Sequence, residues 1–333
     1  MKLLAKIAIT AFMFCCLHGY AQSNAFAVSP AENDSMRKEA DAFIKAMPAD
    51  LQLRQTRAIR KAIDGDCADL QNVRNARNSE ITYSPGVSVR MITPQLRLYE
   101  PTGCCENLPL LIYLHGGGWT FGSLNSCARF CDAVAASGKV KVLAVDYALA
   151  PEHPFPEGLN DCINAVKYAA NHCSGLGIDP QQISIGGDSS GGNLAIATAL
   201  SVGEDIDISG LILFYPVTKA YSDESRSWKK YGIGYGLDAD IMCAFNDAYT
   251  RPDNPHNQLI SVAENANLQS LPRILLVAAG RDILCDQGKE FASALSDKVT
   301  RIEFPDAVHL FITVPGQQCA FHKAVEIALN FIK

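Results

Sequence analysis

From about residue 85 onward, short apolar runs alternate with stretches that carry apolar residues at helical spacing. The runs are nearly continuous in Val, Ile and Leu, which is typical of strands buried on both faces of a parallel sheet. The alternation therefore predicts an α/β fold with a mostly parallel central sheet and helices on both faces. Strands are predicted at residues 108–114, 140–145, 183–185, 208–215, 274–279 and 301–304, and helices at residues 126–137, 156–173, 191–202, 285–297 and 317–332.

Two regions do not follow this alternation. Residues 35–46 and 53–63 are polar, have helical spacing and are separated by Pro48, so two helices are predicted there. Residues 217–265 follow a predicted strand but mix Tyr, Trp, Gly and Asp irregularly. An insertion of that length is more often functional than a plain connection.

The N-terminus has the pattern of an export signal. Two lysines flank the start of an apolar run at residues 7–17, and small residues follow it. The run is too short to span a bilayer, which takes about 20 apolar residues. The pattern predicts a signal peptide at residues 1–21, cleaved after Ala21 or alternatively after Ala27, and a secreted or periplasmic protein. A membrane anchor that stays attached is the alternative.

The net charge of the chain argues against polyanionic partners. The formal net charge is −6 and the isoelectric point is about 5.7. A mildly acidic chain has no electrostatic attraction to nucleic acids or to anionic lipid surfaces. We therefore expect no nucleic-acid partner and no stable membrane insertion.

The chain has twelve cysteines, of which ten remain once Cys15 and Cys16 in the apolar run are set aside. An even number in an exported protein permits disulfides, so one to three bridges are expected. Cys127 and Cys131 are four residues apart, but no second close pair completes a zinc site. No metal is expected.

A Gly-x-Ser-x-Gly sequence stands between a predicted strand and a predicted helix, at residues 187–191. A serine on a sharp strand-to-helix turn projects its hydroxyl from the sheet edge, and small neighbours are needed because the turn is crowded. A plain glycine-rich turn is the alternative. The preceding strand and the apolar helix after it favour Ser189 as a nucleophile, with the Ser190 amide at the helix start.

A second glycine sequence, His-Gly-Gly-Gly-Trp at residues 115–119, follows the strand predicted at 108–114. Backbone amides of such a loop can approach and stabilise an oxyanion. A phosphate-binding loop is the alternative, but no Lys-Ser or Lys-Thr follows and no helix begins directly after the glycines. The oxyanion role is favoured.

A serine nucleophile needs a general base and an orienting carboxylate, which follow it in the chain order serine, acid, histidine. Of the seven histidines, His309 lies in a loop after the last predicted strand. Asp282 lies directly after the strand predicted at 274–279, and Asp286 is the alternative acid. Either carboxylate could instead cap a helix.

These motifs resemble those of the hormone-sensitive-lipase-like esterases. Similarity continues in Val145-Asp146-Tyr147 and residues 149–156, and covers about residues 90–333. The resemblance implies an α/β-hydrolase domain at residues 86–333, a helical cap built from residues 22–85 and 217–265, and hydrolysis of carboxylic esters without a cofactor.

The resemblance also assigns roles. It implies a catalytic triad of Ser189, Asp282 and His309, and an oxyanion hole formed by the amides of Gly116, Gly117 and Ser190. The supporting motif residues are His115, Gly118, Gly187, Asp188 and Gly191.

The chain departs from the family pattern at supporting positions. The family usually has Arg after the Asp-Tyr pair, where this chain has Ala148. Its acid motif usually reads Asp-Pro-Leu followed by Asp-Glu, where this chain has Asp282-Ile283-Leu284 followed by Asp286-Gln287. The departures put the substrate preference in doubt and leave the catalytic residue types intact.

The substrate is expected to be a small ester with a short or medium acyl chain. Trp119 and Phe121 are predicted to line an acyl pocket, and Trp228, Tyr231 and Tyr235 are further candidates; ordinary packing is the alternative for all of them. An amidase or formamidase, a deacetylase and a non-catalytic small-molecule receptor are the alternative functions. A homodimer is left open.

Overall fold

The computed structural model describes residues 26–104, 107–251 and 253–332, which are organised around one eight-stranded sheet. Its strands are β1 Val87–Thr93, β2 Leu96–Pro101, β3 Leu108–Leu114, β4 Lys141–Val145, β5 Ile178–Asp188, β6 Gly210–Phe214, β7 Ile274–Arg281 and β8 Val299–Val308.

The strand order is β1-β2-β4-β3-β5-β6-β7-β8. β2 pairs antiparallel with β1 and with β4, and every neighbouring pair from β4 to β8 is parallel. The predicted mostly parallel sheet is therefore confirmed. Because the parallel strands point the same way, the loops that follow β3, β5, β7 and β8 leave from one edge of the sheet.

Helices cover both faces of the sheet. They are α1 Pro30–Ala46, α2 Leu51–Ile63, α3 Ala68–Arg77, α4 Ala128–Ala135, α5 Glu157–Asn171, α6 Cys173–Leu176, α7 Ser190–Val202, α8 Arg226–Tyr231, α9 Ala239–Thr250, α10 Cys285–Ala294 and α11 Gln318–Ile332.

The two faces can be read from β3, because successive side chains of a strand point to opposite sides. Leu110, Ile112 and Leu114 belong to a buried apolar cluster that includes residues of α5 and α7. Leu111 and Tyr113 belong to a second cluster, which includes residues of α4, α11 and α1. A strand that is apolar on both sides is what the continuous Val, Ile and Leu runs predicted.

The N-terminal helices contact the insertion at residues 217–265. Apolar residues of α2, α3, α8 and α9 all join the first cluster. Arg60 of α2 forms an ion pair with Asp247 of α9, and the Asp238 N–H donates to Gln52 Oε1 at 2.8 Å. The description of these two regions as a cap stays a prediction.

Sequence patterns did not predict β1, β2, α3 or the two helices of the insertion. β1 lies at the sheet edge and most of its residues are at least partly exposed, so it lacks the continuous apolar run that marks the central strands. α3 has a single buried residue, Leu70, which leaves little amphipathic pattern.

The expected disulfides are not formed among eight of the mature cysteines. Their thiols are free, and three of them are buried in the core; the eight are Cys67, Cys127, Cys131, Cys162, Cys173, Cys243, Cys285 and Cys319. For the three in the core, Cys127, Cys131 and Cys162, burial as a small apolar side chain accounts for the placement without a bridge.

The predicted signal peptide lies outside the described residues, so export and the cleavage site stay predictions. Within the part of the chain that the structure describes, we find no helix of the length and apolarity needed to cross a membrane.

The close approach of α7 to β3 generates a stability prediction. A Cβ at Gly191 would overlap the carbonyl oxygen of Leu114. Overpacking of this kind costs about 1–3 kcal/mol, so Gly191→Ala should lower the free energy of unfolding by at least about 1 kcal/mol in a denaturant titration.

The control is Gly175→Ala in α6, where an added methyl group meets no atom and no positive φ is required. We expect this variant to be as stable as the wild type or more stable. Equal free energies of unfolding for the two variants would contradict the packing described here.

Candidate active site

Ser189 occupies a strained turn between β5 and α7. Its φ is 54° and its ψ is −119°, an unusual conformation for a residue with a side chain. The Ser189 N–H donates to the Phe214 carbonyl at 2.9 Å, and the Ser189 carbonyl accepts from the Val217 N–H at 3.1 Å. Both bonds fix the turn to the end of β6. The side chain is thereby held at the carboxyl edge of the sheet, as the Gly-x-Ser-x-Gly sequence predicts.

The structure brings Ser189, His309 and Asp282 into one hydrogen-bonded chain. His309 Nε2 lies 3.1 Å from Ser189 Oγ, and Nδ1–H donates to Asp282 Oδ2 at 2.6 Å. All three residues are buried, with exposed fractions of 6%, 2% and 2% for serine, aspartate and histidine. An imidazole between a hydroxyl and a carboxylate is the arrangement that activates a serine for nucleophilic attack.

The two acid candidates have different surroundings. Asp282 accepts from His309 through Oδ2 and from the Leu284 N–H through Oδ1, at 3.0 Å. Asp286 instead accepts from the Ser227 N–H at 2.7 Å, in the first turn of α8. The Asp286 carboxylate therefore ties the insertion to α10, and the geometry supports Asp282 as the partner of the histidine.

Sequence reasoning missed the residues that hold the His309 loop. The buried Gln317 amide accepts from the Val308 N–H at 3.1 Å and donates to the His309 carbonyl at 3.0 Å, so it fixes the backbone on both sides of the imidazole. Tyr215 contacts the imidazole, with ring centroids 4.4 Å apart, and its hydroxyl accepts from the Ile312 N–H. No local pattern marks these residues, because each acts through a tertiary contact.

Asp188 connects the three loops of the site. Oδ1 accepts from the Tyr113 hydroxyl and from the Gly116 N–H, both at 3.0 Å, and Oδ2 accepts from the Thr313 hydroxyl at 2.9 Å. Burial raises the pKa of this carboxyl, while hydrogen bonds from Thr313 and Tyr113 act in the opposite direction. The residue next to the nucleophile thus fixes the glycine loop and the histidine loop at once.

The contact with Asp188 contradicts the expected oxyanion role of the Gly116 amide. That N–H already donates to a buried carboxylate and is not available to an oxyanion. Among the described residues, the amides of Gly117 and Gly118 donate to no acceptor, and both residues have positive φ, at 129° and 62°. The Ser190 amide is in the first turn of α7, where no intrahelical acceptor exists. The geometry therefore favours Gly117, Gly118 and Ser190.

His115 restrains the start of the glycine loop through contacts with Tyr147 and Gly116. Its ring stacks on Tyr147, with centroids 4.3 Å apart, and Nδ1–H donates to the Gly116 carbonyl at 2.9 Å. Burial lowers the pKa of His115, so the imidazole is neutral at neutral pH. The Tyr147 hydroxyl donates to the His115 carbonyl at 2.6 Å. Both contacts order the backbone just before the free amides.

The predicted pocket residues are packed against the insertion. Trp119 and Phe121 are each 1% exposed. Trp119 stacks on Tyr249 with centroids 4.4 Å apart, and Phe121 meets Phe245 edge to face at 5.3 Å. Their role in binding an acyl chain stays a prediction. Trp228 is also buried, and Tyr231 contacts Tyr235 edge to face.

The described residues contain no cluster of three or more His, Cys, Asp or Glu side chains that could hold a metal ion.

Comparisons with known proteins agree with the fold and identify ester hydrolases among the relatives of this chain. Residues 111–313 match a family described as having the alpha/beta hydrolase fold. The chain is 33% identical over 228 residues to the carboxylesterase NlhH of Mycobacterium tuberculosis, covering 65% of this chain and 70% of that protein. It is 35% identical over 234 residues to the ethyl acetate hydrolase of Pseudomonas putida, covering 66% and 72%. A solved esterase from the archaeon Pyrobaculum calidifontis superimposes with a TM-score of 0.71 at 29% identity, covering 82% and 96%.

The hydrogen-bonded chain predicts which acid activates Ser189. A fluorophosphonate probe should label Ser189, and Asp282→Asn should slow the labelling by about 10²-fold or more, because the imidazole loses its orienting carboxylate. The matched control is Asp286→Asn, which keeps an oxygen to accept from Ser227 and should label at the wild-type rate. Slower labelling of the Asp286 variant than of the Asp282 variant would reverse the assignment.

Proposed function

Because this chain belongs to the hormone-sensitive-lipase-like carboxylesterase family of α/β-hydrolases and is a carboxylic ester hydrolase, we propose that it cleaves small-molecule esters through an acyl-enzyme on Ser189. The observation that carries the proposal is the chain of contacts from Ser189 Oγ through His309 to Asp282, at 3.1 and 2.6 Å. The ester hydrolases among its relatives support the reaction class, and the geometry supports the role proposed for each residue.

In the first half-reaction, Ser189 Oγ attacks the ester carbonyl carbon while His309 Nε2 takes the hydroxyl proton. Asp282 accepts the hydrogen bond from Nδ1–H and stabilises the imidazolium. The tetrahedral intermediate then collapses, its bond to the alcohol oxygen breaks, and Nε2–H gives its proton to the leaving alcohol. Water repeats the sequence against the acyl-enzyme and releases the carboxylic acid.

The negative charge of each tetrahedral intermediate is stabilised by the amides of Gly117, Gly118 and Ser190. These donors are held in place before reaction, so no reorganisation is needed when the charge develops. In comparable sites the loss of one such donor costs about 10²–10³ in rate, so the position of this loop should affect the rate strongly, although less than the triad does.

We also propose a preference for short and medium acyl chains. The aromatic side chains next to the glycine loop are buried and packed on the insertion, through the contacts of Trp119 with Tyr249 and of Phe121 with Phe245. The name of the Pseudomonas putida relative, an ethyl acetate hydrolase, supports a small substrate.

The acyl-enzyme proposal predicts a non-additive loss of activity. Ser189→Ala and His309→Ala should each lower kcat on p-nitrophenyl butyrate by about 10⁴-fold or more, and the double variant should lose no more than either single variant, because the two residues act as a unit. Mass spectrometry of the wild type during turnover should show the butyryl adduct on Ser189. Wild-type activity of Ser189→Ala would refute the proposal.

The chain-length proposal is tested with a series of p-nitrophenyl esters. We expect kcat/KM to peak below about twelve acyl carbons, as a small-ligand pocket implies. Trp119→Phe, which keeps an aromatic ring to stack on Tyr249 but frees volume, should move the peak to longer chains. The control is Phe130→Leu in α4, which frees volume in the second apolar cluster, on the other face of the sheet. A peak beyond twelve carbons in the wild type, or an equal shift in both variants, would contradict the assignment. A parallel series of anilides measures amidase activity.

A further inference from the structure

Arg74 of α3 reaches two loops of the active site from the N-terminal part of the chain. Its Nε–H donates to the Thr120 carbonyl and its Nη2–H to the Ala150 carbonyl, both at 2.9 Å. The same guanidinium forms a bidentate ion pair with Glu152, at 2.7 and 2.9 Å. We call these four residues the Arg74 clamp. The Arg74 side chain is only 13% exposed, so these contacts replace most of its hydration.

One end of the clamp fixes the peptide bond between Thr120 and Phe121. The carbonyl of that peptide accepts from Arg74, and its N–H donates to the Gly117 carbonyl at 2.8 Å. The Gly117 carbonyl and the Gly118 N–H belong to one planar peptide group. The direction of the Gly118 N–H, a proposed oxyanion donor, is therefore set through a single intervening peptide.

The glycine loop needs such an external restraint. Gly117 and Gly118 lack a Cβ and have positive φ, so their own covalent structure restricts the backbone little. The Thr120 hydroxyl donates to the Gly118 carbonyl at 2.9 Å and fixes the next peptide. Arg74 thus holds Thr120, whose N–H also donates to the Gly117 carbonyl, at 3.2 Å, and whose side chain fixes the Gly118 carbonyl.

The other end of the clamp joins the loop at residues 149–152. The Ala150 N–H donates to the Trp119 carbonyl at 2.9 Å, while the Ala150 carbonyl accepts from Arg74. The two loops are bonded directly to each other and again through the guanidinium. A planar group with donors on two edges can serve both carbonyls and a carboxylate at the same time, whereas an ammonium group is a point charge without this geometry.

The ion pair with Glu152 is charged at neutral pH. Burial acts to raise the pKa of Glu152, but the hydrogen bonds and the charge of Arg74, together with hydrogen bonds from the Glu152 backbone and from Cys67, outweigh it, and the pKa lies below its ordinary value. The bidentate contact with the carboxylate restrains the orientation of the guanidinium. Glu152 thus holds the guanidinium in place, and the guanidinium restrains the glycine loop through its hydrogen bond to the Thr120 carbonyl.

We propose that Arg74 is a positioning residue for ester hydrolysis, which orients the oxyanion loop and makes α3 part of the catalytic machinery. α3 precedes the residues matched by the family, 111–313, so this dependence is not contained in the family match. The inference rests on the proposed acyl-enzyme mechanism, because it assigns the glycine amides to the oxyanion.

The test compares Arg74→Ala and Arg74→Lys with the control Arg60→Ala. Arg60 also joins the N-terminal segment to the rest of the chain, but through an exposed ion pair with Asp247. kcat and KM on p-nitrophenyl butyrate, and the affinity for a trifluoromethyl ketone that forms a hemiketal with Ser189, are measured well below the unfolding temperature of each variant.

Both Arg74 variants should lower kcat by about 10-fold or more, less than the 10²–10³ that removal of an oxyanion donor costs, with KM little changed. Inhibitor affinity should fall by the same factor as kcat/KM, because the hemiketal oxygen uses the same amides. Arg60→Ala should match the wild type in all three quantities. If Arg74→Ala does not fold, Arg74→Lys, which retains the charge beside Glu152, supplies the measurement.

The inference would be overturned if a folded Arg74 variant kept the wild-type kcat and inhibitor affinity and only its unfolding temperature fell. Arg74 would then have a purely structural role. A rise in KM without a fall in kcat would overturn it as well. Ser189→Ala, assayed in the same series, separates failure of the Arg74 inference from failure of the proposed mechanism. Activity of Ser189→Ala would refute the acyl-enzyme. If Ser189→Ala is inactive and the Arg74 variants behave as the wild type, only the role of the Arg74 clamp is refuted.

Discussion

The active site depends on the close packing of the Ser189 turn against the end of β3. Side chains at Gly187 or Gly191 would overlap backbone atoms of the turn or of Leu114, so the approach is open only to glycine. This packing brings the carboxylate of Asp188 within hydrogen-bond distance of the Gly116 amide. The proposed nucleophile and the glycine loop are thus linked directly to each other, in addition to the contacts that restrain each of them separately.

Two buried carboxylates flank the nucleophile and have different partners. Asp282 accepts the imidazole N–H, so in the proposed mechanism its negative charge stabilises the positive charge that develops on His309. Asp188 is bonded to the Tyr113 and Thr313 hydroxyls and to a backbone amide. Such donors satisfy a buried carboxylate and fix its direction, which suits a group that holds loops together.

The central strands could be predicted from the sequence because a strand that is buried on both faces of the sheet is apolar along its whole length. Since Ser189, Asp282 and His309 follow β5, β7 and β8 at one edge of a parallel sheet, their convergence could be anticipated from strand ends. Three other features of the site could not be anticipated from the sequence: the Arg74 clamp, the contacts of the Gln317 amide, and which of the neighbouring glycine amides are free to bind an oxyanion. These depend on contacts between segments far apart in the chain, and no local spacing encodes which N–H is already bonded.

The assignment of amides has a physical reason beyond geometry. A loop of three glycines has little intrinsic preference for one conformation, and its ordering entropy must be offset by contacts outside it. The loop uses its first amide for the bond to Asp188, the Gly117 carbonyl for the Phe121 N–H and the Gly118 carbonyl for the Thr120 hydroxyl. Because these groups restrain the backbone, the two amides left without an acceptor are held in place before a substrate arrives. An oxyanion site needs N–H donors that have no other acceptor and that are held in one position. In this loop the Gly116 N–H and the carbonyls of Gly117 and Gly118 hold the backbone in position through their own hydrogen bonds, and the remaining amides are left free.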